Sequence, residues 1–134
     1  MKLANRVHHF AVAVSDLESS VAWYCDKLDF VVDKRFTIPE AALRIVKLAS
    51  PSGFQIELLM REDESGRARR EDDLVAPGSK HLCFEVESIE EAVSEIRRRG
   101  ITLTQEPKIF EATREKNCWI KDNEGNPIEF IEEW

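Results

Sequence analysis

Two histidine–glutamate pairs recur in this chain at one interval. His9 is followed 48 positions later by Glu57, and His81 by Glu129 at the same spacing, with the two pairs offset by 72. The surrounding text repeats in register. HFAVAVSDLESSV from His9 aligns with HLCFEVESIEEAV from His81, and SGFQIELL around Glu57 aligns with EGNPIEFI around Glu129. Val14, Leu17, Glu18 and Val21 thus fall opposite Val86, Ile89, Glu90 and Val93. A period of 72 is too long for a solenoid, whose repeats run roughly 20–50 residues. It marks a duplicated half-domain within one domain of 134 residues, a length that buries a core without disulfide or metal staples.

The repeat divides the chain into module one at 1–60, a charged linker or flap at 61–79, and module two at 80–134. Each module opens with a short alternating strand, near 7–14 and 80–86, followed by a helix near 17–28 and 89–99. Asp16 holds the cap position of the first helix, with Ser15 and Glu18 as an alternative box one residue earlier. Ser88 and Glu91 form a capping box on the second, and Gly100 stands where that helix should stop. Three further strands per module are expected near 29–36, 43–49 and 54–60, and near 101–106, 116–121 and 127–132. The turns SPSG at 50–53 and KDNEG at 121–125 separate the last two strands of each set. In the linker, Arg67, Arg69 and Arg70 read as part of a solvated charged loop rather than as a greeting for an anionic substrate. Loops at 35–43, 61–80 and 105–117 are expected to carry selectivity.

Side chains two apart on a strand share a face. From His9, that rule groups Ala11 and Ala13 with the histidine and sends Phe10, Val12 and Val14 to the other side. Likewise Cys83 and Glu85 go with His81, while Leu82, Phe84 and Val86 oppose it. Ile56 and Leu58 oppose Glu57, and Ile128 and Phe130 oppose Glu129. The bulky apolar sets must pack on the helices, so the four polar candidates lie on faces the core does not claim. A lone histidine at a strand start is usually structural, and a lone glutamate near a strand end is usually a solvated edge charge. Four of them at matching points of a duplicated unit point instead to a shared metal site built from His9, Glu57, His81 and Glu129. His8 falls on the opposite face and receives no role, because shifting the strand by one would invert its apolar pattern.

A net charge of −7 argues against nucleic acid or an anionic membrane as the main partner. No apolar run approaches the roughly 18 residues of a membrane span, and MKLANRVHHF lacks the apolar centre of a signal peptide. Cys25, Cys83 and Cys118 are odd in number and show no CxxC spacing, which suits a reducing cytoplasm and no nucleophilic role.

HHFAVAVSDLESSVAWYCDKLDF, QIELL, KHLCFEVESIEEAVSEIRRRGI and IKDNEGNPIEFIE together resemble, in order and over nearly the whole chain, the vicinal oxygen chelate superfamily. That group includes glyoxalase I, methylmalonyl-CoA epimerase, extradiol dioxygenases and bleomycin-resistance proteins. The resemblance implies an α+β fold of two βαβββ modules forming an open, curved, barrel-like mixed sheet with helices outside. It also implies a homodimer, with the site inside one chain or shared between two. In the glyoxalase I and epimerase branches the positions of His9, Glu57, His81 and Glu129 are the ligands. One departure is Ser19, which stands where glutathione-using bacterial glyoxalase I enzymes commonly carry an arginine.

Two imidazoles and two carboxylates suit a six-coordinate divalent ion such as Ni, Co, Mn, Mg or Fe, with Zn possible. Such a site leaves two positions for water or vicinal substrate oxygens and can stabilise an enediolate. The expected activity is that of a metal-dependent lyase or isomerase acting on a small molecule next to a carbonyl. By resemblance to glyoxalase I, Glu129 is the base and Glu57 serves the opposite face. Glu85 reads as peripheral or as a partner to the ligands. The alternatives are an antibiotic-binding protein of the bleomycin-resistance type, with Trp23, Trp119 and Trp134 as stacking surfaces, and an iron-dependent dioxygenase. A fourth protein ligand at Glu57 argues against the dioxygenase.

Overall fold

The fold is described from a computed structural model, which describes residues 3, 6–62, 79 and 81–134. The charged linker, with Arg67, Arg69 and Arg70, lies outside the described residues. The chain divides into two compact units, Met1–Arg69 and Arg70–Trp134. Unit one runs β1 (His9–Ala13), α1 (Leu17–Leu28), β2 (Val31–Ile38), β3 (Leu43–Ala49) and β4 (Gln55–Arg61). Unit two runs β5 (Leu82–Glu85), α2 (Ile89–Arg98), β6 (Leu103–Phe110), β7 (Glu115–Lys121) and β8 (Pro127–Glu133). Each is a βαβββ module, so the chain is α+β with two mixed four-stranded sheets. Their strand orders, β1-β4-β3-β2 and β5-β8-β7-β6, are the same. In each sheet the first strand runs parallel to the last and the other pairings are antiparallel.

The helices begin where the capping chemistry predicts. Asp16 accepts a bond from the Ser19 amide at 3.0 Å, so Asp16 rather than Ser15 is the cap. Ser88 accepts from the Glu91 amide at 3.3 Å. Helix α1 buries Leu17, Val21 and Tyr24 against β2, β3 and β4, where Val46, Leu48, Ile56 and Leu58 are fully or almost fully buried. Helix α2 buries Ile89, Val93 and Ile96 against β6, β7 and β8, where Cys118, Ile120 and Ile128 are enclosed. Each such aliphatic side chain contributes about 1.5–3 kcal/mol on burial.

The turns before the last strands repeat their chemistry through different residues. Gly53 and Gly125 have φ of 85° and 82°, a left-handed conformation that favours glycine. In the first turn the Ser50 hydroxyl accepts from the Phe54 amide at 3.0 Å, and in the second an Asp122 carboxylate oxygen accepts from the Asn126 amide at 2.8 Å. Both set the register of the strand that follows.

Two of the expected selectivity loops are mostly strand. β2 extends to Ile38 and turns through a 3-10 segment, Pro39–Ala41, while β6 extends to Phe110. The reason is cross-strand pairing: β3 and β7 carry enough partners to extend both hairpins through polar stretches that lack a clear alternation.

Truncation at the centre of either sheet should be costly. Ile128→Ala is expected to lower the unfolding free energy by about 2–5 kcal/mol, whereas loss of the cap in Asp16→Ala should cost about 1 kcal/mol. Urea denaturation of the two variants checks the difference.

Candidate metal centre

Strand alternation turns one glutamate to the helix-free face of each sheet, where a histidine at the start of the first strand or just before it meets it. In unit one, Ile56 and Leu58 are wholly buried on the helix side, which turns Glu57 to the other face. There Glu57 Oε2 lies 3.4 Å from His9 Nε2. In unit two, Ile128 points to the helix side and Glu129 turns away, with its Oε2 3.2 Å from His81 Nε2. Both carboxylates are sheltered, each side chain only 13% exposed, while the two imidazoles remain about a third open to solvent. The pairs predicted from spacing are therefore pairs in space.

The second oxygen of each carboxylate is held differently. Glu57 Oε1 meets the Lys47 ammonium at 3.0 Å, across the β3–β4 register. Glu129 Oε1 accepts from Asn117 Nδ2 at 2.6 Å, and Asn117 Oδ1 accepts from Gln105 Nε2 at 3.0 Å. Asn117 is buried, and the bond from Gln105 orients its amide group so that the NH2 faces the carboxylate. One carboxylate is thus steadied by a cation and the other by a neutral amide chain.

The histidines also have different supports. The His8 and His9 rings meet edge to face, with Nδ1 atoms 2.7 Å apart. His8 precedes β1, and its ring lies against that of His9. If His9 donates its Nδ1 proton to His8, its Nε2 lone pair is left facing Glu57, the tautomer a metal ligand requires. His81 packs edge to face on Trp119 with ring centroids 4.7 Å apart. Trp23 lies against Tyr24 and Trp134 is exposed, so of the three tryptophans Trp119 is the one beside a candidate ligand.

Cys83 pairs across the sheet with Glu129 and hydrogen-bonds to it. Although the residue is solvent-accessible, desolvation of its thiol against the sheet comes first in pushing it up to about 12, followed by the bond to Glu129 and the charges of Glu129, Glu115 and Glu133. The thiol stays protonated near neutrality and donates, which removes it as a nucleophile. Burial pushes Cys118 up to about 11, as expected of a core thiol. Glu85 is exposed at the end of β5. Ser19 is taken up by the helix cap, its hydroxyl donating to Asp16 at 2.8 Å.

The donor sets fit a divalent ion. Neighbouring ligands in an octahedral shell with metal–ligand distances of about 2.0–2.1 Å lie about 3 Å apart, close to the separations in both pairs. Among the described residues no group of three or more His, Cys, Asp or Glu is placed so that it could hold a metal ion. Each unit offers one imidazole and one carboxylate in contact.

Lys47, Asn117, Gln105 and His8 were not identifiable from the pair spacing. Lys47 and Trp119 do lie 72 apart, directly across from the two glutamates in strand register, so pairing the predicted strands would have found that position.

Comparison with known proteins shows the family. The model of the Glyoxalase/Bleomycin resistance protein/Dioxygenase superfamily matches residues 6–130, and the chain belongs to that superfamily. It is 30% identical to the uncharacterized protein YwkD of Bacillus subtilis, over 98% of this chain and 99% of the relative. It is 32% identical to the ethylmalonyl-CoA/methylmalonyl-CoA epimerase of Cereibacter sphaeroides, over 80% of this chain and 81% of that one. A crystal structure of a glyoxalase family protein from Enterococcus faecalis superposes with a TM-score of 0.78 at 27% identity, covering 95% of this chain and 97% of that one. Among the described residues no helix is long and apolar enough to cross a membrane.

Proposed function

We propose that this protein is a metal-dependent lyase or isomerase that moves a proton at a carbon next to a carbonyl, in the manner of glyoxalase I or an epimerase. The observation that carries the reading is the matched pair of His–Glu contacts at equivalent register positions of two modules. In this reading residues 1–134 act as one functional domain, and His9, Glu57, His81 and Glu129 together hold one divalent ion. When bound, that ion supplies Lewis acidity to vicinal oxygens of a small-molecule substrate.

The chain's own residues do the rest. Glu129 would act as the base on loosening from the ion, taking the proton at Oε2 while Asn117 keeps Oε1 fixed. Fixing one oxygen limits rotation of the carboxylate, so the other approaches the carbon along a set direction. Glu57 serves the opposite face, with Oε1 anchored by Lys47. Asn117, itself held by Gln105, is a positioning residue. The likeness to an epimerase supports proton transfer as the chemistry, and the helix-bound Ser19 supports a substrate other than a glutathione adduct.

Three measurements test this. Titration of chelator-treated protein with Mn²⁺, Co²⁺ or Ni²⁺ should give one ion per four-donor set, with Asn117→Ala weakening affinity by about 10–100-fold; a protein that binds no divalent ion contradicts the reading. Glu129→Gln should lower the rate of deuterium exchange at the substrate carbon by about 10²–10⁴-fold with an unchanged circular dichroism spectrum, and unaltered exchange would remove Glu129 from the role. Finally, His9→Ala and His81→Ala proteins can be unfolded and refolded together. In a homodimer with sites shared between chains, mixing regenerates one intact donor set per mixed dimer and restores tight metal binding; with sites inside one chain it restores none.

A further inference from the structure

The cross-strand row that carries Glu57 holds more positive charge than that carboxylate balances. Register places Lys34 of β2 opposite Lys47 of β3, and Lys47 opposite Glu57 of β4. Like charges directly opposite on neighbouring strands repel. Two features of the face offset this in part. Lys47 Nζ is 3.0 Å from Glu57 Oε1. Both ammonium groups also lean over one ring, with Lys34 Nζ 5.7 Å and Lys47 Nζ 5.8 Å from the Phe36 centroid. The shared ring keeps the two cations near one another, and each gains from its negative face. Among the described residues, Glu57 is the only carboxylate within 4 Å of either ammonium. The neighbouring arginines are already used, Arg35 by Glu18 and Arg44 by Glu18 and Glu62.

The fold does not demand this charge. The matching row of module two reads Gln105, Trp119, Glu129 and Cys83, with no cation. Nor does the row sample a generally basic surface, since the chain carries −7 overall.

We propose that Lys34 and Lys47, with Phe36 as their floor, form a subsite for an oxyanion, a carboxylate or phosphate group carried by the substrate. Ammonium groups recognise such a group as point charges through charge-assisted hydrogen bonds. The proposal deepens the function given above and rests on it in one respect. A cation held by His9 and Glu57 draws on the charge of Glu57, so Lys47 keeps its contact to Oε1 and, with Lys34, has charge and N–H donors left for a bound anion. The subsite then grips the substrate beside the donor pair, away from the reacting carbon.

The test uses the full chain in the presence of chelator, so that its outcome does not depend on metal binding. In Glu57→Gln the carboxylate competing for Lys47 is gone. Malonate and inorganic phosphate, followed by calorimetry at low ionic strength, are expected to bind that variant about tenfold more tightly than the unaltered protein. Adding Lys34→Ala and Lys47→Met should abolish the gain. A gain with malonate alone identifies a carboxylate, and with phosphate alone a phosphate group. Should Glu57→Gln fail to fold, Lys34→Ala in the unaltered chain is expected to weaken anion binding several-fold, while Lys108→Ala, an exposed lysine of module two, leaves it unchanged. Equal anion affinity with and without the two lysines, or equal losses from Lys34→Ala and Lys108→Ala, overturns the proposal. Neither result bears on whether His9, Glu57, His81 and Glu129 bind metal, so the two readings fail separately.

Discussion

The alternation of side chains along β4 and β8 is the constraint on which the rest of this structure depends. Ile56 and Leu58 in one strand and Ile128 in the other are pressed onto the helices with almost no exposure. With a period of two, that burial leaves Glu57 and Glu129 no other direction than the opposite face. The first strand of each module runs parallel to its last, which brings a histidine from the start of the module beside a glutamate from its end. Hydrophobic packing thereby positions the polar chemistry. The turns at Gly53 and Gly125 protect the arrangement, because a slip of one residue would bury both carboxylates.

On this duplicated frame the two modules have diverged around their glutamates. The scaffold positions coincide, while the residues that contact Oε1 do not: an ammonium in one module and an amide chain in the other. The position across the register from each glutamate is Lys47 in one case and Trp119 in the other. Glu57 thus has a charged neighbour across its register, and Glu129 an aromatic one.

Much of the architecture is legible in the sequence. Both helices start at the capped positions, because Asp16 and Ser88 satisfy amides that the first turn leaves without partners. Strands placed by alternation agree with the structure to within a few residues, except where β2 and β6 run on into stretches whose pattern is too weak to read.

The sequence by itself determined the duplication, the βαβββ order and the identity of four candidate donors, since all three follow from periodicity and spacing along the chain. Tertiary structure alone decided which atoms meet. Strand register set Lys47 against Glu57, and a diagonal contact set Asn117 against Glu129 with Gln105 behind it. Those contacts join residues 10 or more positions apart and depend on side-chain direction across neighbouring strands, information that no local pattern carries.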